Sequence, residues 1–265
     1  MKKNILIAVT VVVIIGGLAY FFLQQSPPVP EPVHVQAPPP PLTPPKPDVS
    51  QVIETPPAPL TLPALANSDS YMLTALAGLV GNESLMKLFR TERIIHNIVA
   101  TIDNLPSKRL PTSVMPLERT TGKFVTSGTE NNLTISPKNA DRYTPYVKIA
   151  EAVNSKKLVE LYVRLYPLFQ EAYEKLGYPK KYFNDRLIET LDSLLAAPDI
   201  KEPVKLVQPN VFYLFADSDL EDCSIGQKIL MRTGSKNEAI IKGKLREIKQ
   251  EVMLHMHDKK VASIK

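Results

Sequence analysis

Nineteen consecutive residues, 5–23, carry no charge, and no other feature of the chain constrains its architecture as much. As a helix rising about 1.5 Å per residue, the run ILIAVTVVVIIGGLAYFFL would be about 28 Å long, close to the roughly 30 Å hydrocarbon thickness of a bilayer. Lys2 and Lys3 stand before it, and no lysine or arginine follows until Lys46. The positive-inside rule therefore predicts a cytoplasmic N-terminus, residues 1–4, a transmembrane helix over 5–23 and a chain that continues on the far side. Tyr20, Phe21 and Phe22 fall at the outer interface, where aromatic rings are favoured. Gly17 and Ala19 also suit a cleaved secretory signal with the mature chain starting at Tyr20, the alternative reading. Against it, the apolar run continues past Ala19 as Tyr-Phe-Phe-Leu.

After this run the composition changes. Residues 24–63 are dominated by proline (PPVPEP, APPPPLTPPKP, TPPAPL) and hold no glycine. Such a stretch cannot bury a core and favours extended polyproline II; at about 3.1 Å per residue it would reach about 120 Å fully stretched. It reads as a disordered linker, with docking of a proline-reading domain on its PxxP patterns as the alternative. The net charge of +5 is modest and the signs are interleaved, so no nucleic-acid partner is expected. A single cysteine, Cys223, excludes an intrachain disulfide and a cysteine-built zinc site.

Residues 64–252 read as a mainly α, multi-helix globular domain with one or two small β-hairpins, followed by a basic tail over 253–265. Asp69 or Ser70 is placed to cap a first helix through Leu76 and Leu79, stopped at Gly81, and Asn82 to start a short second one. Thr91 precedes a third, in which Ile94, Ile95, Ile98 and Ile102 repeat at helical spacing until Pro106. Residues 123–126 and 133–135 alternate as short strands around Gly128. Thr144-Pro145 opens another helix, and Ser155 the longest, which Pro167 should kink. A helix over 182–197 ends at Pro198; residues 204–207 and 211–215 suggest a second hairpin. Of the two closing helices, the last begins with Ser235-Lys-Asn-Glu238, the pattern of a capping box.

The runs HNIVATIDNLP, ADRYTPYV, LVELYVRLYPLFQEAYEKLGYPKKYFNDRLIETLDSLLAAP, VFYLFADSDLE and GQKILMRTG…KLREIKQ resemble a proteobacterial family of inner-membrane proteins, the domain-of-unknown-function family numbered three thousand and fourteen. The resemblance covers nearly all of residues 65–250. It implies the cell envelope, with the domain in the periplasm, and no mechanism. The Asp103-Asn104 and Asn184-Asp185-Arg186 segments match it well.

Candidate chemistry is sparse. Asp185, Glu189 and Asp192 share one stripe of a helix, and could form a cation site or an acid–base pair; the plainer reading is a solvated acidic face with Arg186 reaching to a neighbour. Arg93, His96 and Asp103 share another helical face, where a histidine and a carboxylate could move a proton. They stand two turns apart with no nucleophile marked beside them, so a structural polar face is the alternative. Asp103, Asp185, Arg186 and Glu189 are the catalytic candidates, and Arg93, Arg142, Tyr143 and Asn184 the binding candidates. The Asp217-Ser-Asp219-Leu-Glu221-Asp222 run starts like a calcium loop, but has Asp222 where glycine is needed and Lys228 where glutamate is needed. Asp217 therefore reads as a helix cap. His255 and His257 lack a third ligand, and the tyrosines at 162, 166, 173, 178 and 182 line either a groove or the rim of a core. No metal and no cofactor are expected. The expected function is a non-enzymatic binding or scaffold module, held to the inner membrane through residues 5–23 and acting on an envelope protein or the cell wall. The alternative is an envelope hydrolase or transferase using carboxylates such as Asp103 and Asp185.

Overall fold

Apolar residues at helical spacing settle most of the architecture. The computed structural model describes residues 51–53, 62–129 and 132–258; the apolar run 5–23, most of the proline-rich stretch and residues 259–265 lie outside them. Among the described residues are nine α-helices: α1 (Asp69–Val80), α2 (Glu83–Met86), α3 (Ile94–Asn104), α4 (Lys138–Ala152), α5 (Ser155–Lys175), α6 (Phe183–Leu195), α7 (Ser218–Glu221), α8 (Ile225–Arg232) and α9 (Ser235–Leu254). None of these helices is long and apolar enough to cross a membrane. The main core lies where α3, α5, α6 and α9 pack together, with α1 against α3 and α4 against α9. Helix α3 is buried on nearly every side, as its run of isoleucines, valine and alanine requires. Leu158, Leu161, Leu165, Phe169 and Tyr173 form the buried stripe of α5, and Phe183, Leu187, Leu191 and Leu194 that of α6.

Four strands form one antiparallel sheet in the order β2 (Thr126–Ser127), β3 (Leu133–Ile135), β4 (Lys205–Val207), β5 (Leu214–Phe215). The two expected hairpins are thus halves of a single sheet, joined by Leu133 opposite Leu206 and Thr134 opposite Lys205. Residues 211–213 stay outside the strand expected there. The inner face carries Leu206 and Phe215, which with Val204 and Met231 make a second, smaller core. Strand β1 (Gln51–Ile53), within the proline-rich stretch, pairs antiparallel with β6 (Met256–Asp258), a ribbon that composition did not suggest.

Helix ends depart most from the local reading. Asp69 does not cap its own helix: its carboxylate accepts the N–H groups of Arg93 (2.7 Å) and Ile94 (2.8 Å), so it caps α3 in place of Thr91. Ser235 and Glu238 do not form a capping box either. The Ser235 N–H and hydroxyl both donate to Glu202, each at 3.1 Å, and Glu238 turns inward. The capping box present is Ser224 with Gln227, opening α8. Helix α4 begins six residues before Thr144 and runs through Pro145, and α5 is one continuous helix through Pro167. Asn154, one residue earlier than expected, caps α5 by accepting the Lys157 N–H. Asp217 does cap α7, as read from the sequence. Gly226 is needed where α8 meets α3 and α6, because a Cβ there would lie 2.5 Å from Leu194 and 3.0 Å from the Leu105 carbonyl.

Candidate functional site

Helices α3 and α6 cross so that Asp103 and Arg186 meet, although 83 residues separate them. Arg186 Nε donates to Asp103 Oδ1 at 2.9 Å and a terminal nitrogen donates to the Asp103 carbonyl. The Tyr178 hydroxyl donates to the other carboxylate oxygen at 3.2 Å. Arg186 also pairs with Glu189 at 2.8 Å, one turn along its own helix. The Asp103 side chain is only 11 % exposed and that of Arg186 20 %, so this pair is shielded from water far more than a surface bridge. Burial tends to lower the Arg186 pKa, but Glu189 and Asp103 outweigh it and hold the guanidinium above its ordinary value. Asp103 raises the Tyr178 pKa, by its charge first and by burial and the hydrogen bond next. With both oxygens engaged, the Asp103 carboxylate ties α3 to α6 and to the α5–α6 turn. Next to it, the Thr190 hydroxyl donates to the Ile102 carbonyl at 3.0 Å.

The other candidates are scattered. Asn184 is fully buried, its side-chain oxygen accepting from the Tyr162 hydroxyl, within a cluster of Tyr162, Phe169 and Phe183 rings. Asp185 faces outward, and crowding of its carboxyl by protein atoms raises its pKa above the ordinary value. Asp192 pairs with Lys249 of α9. Of the acidic stripe, Glu189 and Asp192 are thus engaged by different cations, Arg186 and Lys249. Arg93 is exposed at the start of α3 with a left-handed backbone, φ 51°. His96, half-buried, is held below its usual pKa by burial first and by Arg93 next. Arg142 fastens the 120–122 loop, donating to the Thr121 carbonyl (3.1 Å), the Thr120 hydroxyl (3.2 Å) and the Gly122 carbonyl (2.9 Å). Tyr143 is buried, which raises its hydroxyl pKa. Tyr162, Tyr166 and Tyr173 belong to the core, with Tyr178 packed against it. Among the described residues no group of three or more His, Cys, Asp or Glu side chains is placed to hold a metal ion.

Two arrangements escaped the sequence reading. Lys242 is buried in α9, its ammonium 2.6 Å from the Ala197 carbonyl, 2.6 Å from Asp199 and 2.9 Å from the buried Glu238. Burial raises the Glu238 pKa; Lys242 is also held above its ordinary value, because the two carboxylates outweigh burial. Glu238 and Lys242 fall on the same helical stripe as Ile241, Leu245 and Ile248, a spacing that could have marked both as inward-facing. The second is Arg232, at the end of α8 and only 4 % exposed. Its guanidinium lies over the Phe215 ring at 4.6 Å and donates to the Tyr213 carbonyl at 3.1 Å. Spacing from Ile225 and Ile229 puts it on the buried face of α8. Arg232 lines a cavity of about 190 Å³ at the seam between the sheet and the helices, and a broader hollow of about 500 Å³ shares Ile200 and Val204 with it.

The profile of a family described as "Protein of unknown function (DUF3014)" matches residues 94–249. The chain belongs to DUF3014. The match runs from the first residue of α3 into α9, so the Asp103–Arg186 tie, the buried Lys242 and the seam cavity all fall inside the DUF3014 region. No curated protein and no solved structure matches the chain.

Proposed function

We propose that this DUF3014 protein is a binding or scaffold module of the bacterial cell envelope, anchored in the inner membrane by residues 5–23 and facing the periplasm, with an envelope protein or the cell wall as its partner. The observation that supports this reading is the outer face of the four-stranded sheet. Strand alternation and register put Val125, Ser127, Thr134, Lys205 and Val207 on that side, away from the small core. Val207 is 45 % exposed, and Val211, in the turn that follows, 66 %. Exposed valines beside threonine, serine and lysine suit contact with another surface, an apolar centre with a polar rim. The carboxylates that an envelope hydrolase would need point the other way. Asp103 is closed in bonds to Arg186 and Tyr178, and Asp185 lies on α6 without Asp103 as a partner.

Photocrosslinking in living cells tests the reading on the full-length protein. A photoreactive residue at Val207 or Val211 should give a discrete adduct that one at the exposed Glu160 of α5 does not, and Val207→Asp should abolish the adduct formed from position 211. Equal labelling from Glu160, or an adduct insensitive to Val207→Asp, would rule the sheet face out. A reporter fused after Lys265 tests the topology, and should be active only in the periplasm.

A further inference from the structure

The proline-rich stretch contains one interval suited to a strand. Proline cannot donate to a β ladder, and the longest proline-free run between residues 24 and 63 is 48–55, which holds the β-branched pair Val52-Ile53. That run supplies β1. Its three residues pair with the chain just beyond α9, Gln51 opposite Asp258, Val52 opposite His257 and Ile53 opposite Met256. The ribbon is seated on the helical body: β1 lies beside α6, and Met256 of β6 packs against the main core. The chain returns to that same core at Leu62 and Leu65. The stretch that reads as a linker is therefore fastened to the domain twice, at residues 51–53 and again from residue 62. The two fastenings differ in strength. Leu62 and Leu65 lead into α1, where Met72 and Leu76 are fully buried. Strand β1, among the described residues, has β6 as its one partner strand, and a two-stranded ribbon is marginally stable by itself.

We propose that β1 and β6 form a releasable clasp, which gives the domain two lengths of tether. Closed, the tether leaves the domain at Gln51, and residues 24–50 as polyproline II would reach about 84 Å. Open, it leaves at Leu62, and residues 24–61 would reach about 118 Å. Release thus adds about 34 Å of reach and moves the exit point from the end of α9 to the approach to α1. Three residue pairs control the change, and opening them leaves the core between the helices closed, as a local rather than a global unfolding. The clasp itself does not need the membrane anchor of the proposed function; only the use of the distance it controls rests on that reading.

The test uses the detergent-solubilised full-length protein, and so is independent of where the protein resides in the cell. Cys223→Ser first removes the single native thiol. Neighbouring residues of a strand point to opposite faces, and a disulfide needs converging Cβ atoms. Under mild oxidation, Val52→Cys with His257→Cys should therefore crosslink at least about tenfold faster than Ile53→Cys with His257→Cys. Release is read by hydrogen exchange in the protein without introduced cysteines. The slowest amide of residues 256–258 should exchange at least about tenfold faster than that of Leu191 in α6, because the clasp opens while the helices stay folded. It should also exchange at least about tenfold more slowly than in Val52→Pro, which removes a ladder donor and holds the clasp open. The melting temperature of Val52→Pro should match that of the native protein. Equal crosslinking of the two cysteine pairs, or exchange unchanged by Val52→Pro, would show that the clasp does not form. Protection at residues 256–258 equal to that of Leu191, or a lowered melting temperature in Val52→Pro, would show that it does not open separately from the domain. Each of these results would overturn the proposal.

Discussion

In the helical body, buried charge meets opposite charge: Asp103 lies 2.9 Å from Arg186, and Lys242 2.9 Å from Glu238. At the sheet end the buried Arg232 donates to the Tyr213 carbonyl and lies over two phenylalanine rings, beside a cavity. The two cores differ as well. The one between the helices is large and continuous, whereas the one beneath the sheet rests on four buried residues. A region whose buried ion pairs tie one helix to the next is built for rigidity. A thin sheet over a small core, with valines facing outward, is the region on which the proposed contact rests.

The largest effect that would break this contrast is expected at Lys242. Lys242→Met leaves Glu238 buried without its lysine, and removing one partner of a buried pair costs about 3–5 kcal/mol. Denaturant unfolding of the purified protein measures it; a cost near zero would mean that the helical body does not rely on its internal pairs. The two cores should respond unequally to the same truncation. Leu165→Ala, at a fully buried position in α5, should fall toward the upper part of the roughly 2–5 kcal/mol range for such changes. Leu206→Ala, under the sheet, should fall toward the lower part and should loosen the sheet locally. Hydrogen exchange should show faster amides at Ile135 and Ala216, which bond to Val204 and Lys205, with α3 and α5 still protected. Loss of protection throughout the domain would make the sheet and helices one cooperative unit.

A smaller effect sharpens the account of the helical body. His96 is held below its usual pKa by burial and by Arg93, so below about pH 6.5 the unfolded chain binds the proton more readily than the folded one. Stability from this residue is therefore complete above that pH and is lost as pH falls through the folded pKa. The melting temperature of the native protein should drop more between about pH 7 and pH 5 than that of His96→Gln. Parallel curves would show that His96 does not titrate differently on folding.

How far the sequence led follows the range of each interaction. Helices α5 and α6 were legible because their leucines and aromatic residues repeat every three or four positions. The start of α9 at Ser235 was legible too, but the caps of α3 and α9 were not, because they come from elsewhere in the chain, Asp69 and Glu202. Each hairpin is visible locally, but nothing local reports that Leu133 will lie beside Leu206. The candidate residues divide in the same way. Arg186 reaching to a neighbouring helix was legible, but that the neighbour is Asp103, 83 residues away, was not. Arg232 was missed because a lone arginine at the end of a short helix looks like a surface residue, and only its spacing from Ile225 and Ile229 says otherwise.

The claim that the charged residues of α3 and α6 hold the helices together is tested most directly by a double-mutant cycle at Asp103 and Arg186. Stability of the native protein, Asp103→Asn, Arg186→Gln and the double variant would be measured by denaturant unfolding. If the pair is the tie between α3 and α6, the second substitution should cost much less once the first is made, with a coupling of about 1–3 kcal/mol. Additivity within about 0.5 kcal/mol would contradict it, and would return Asp103 to the list of residues kept for chemistry.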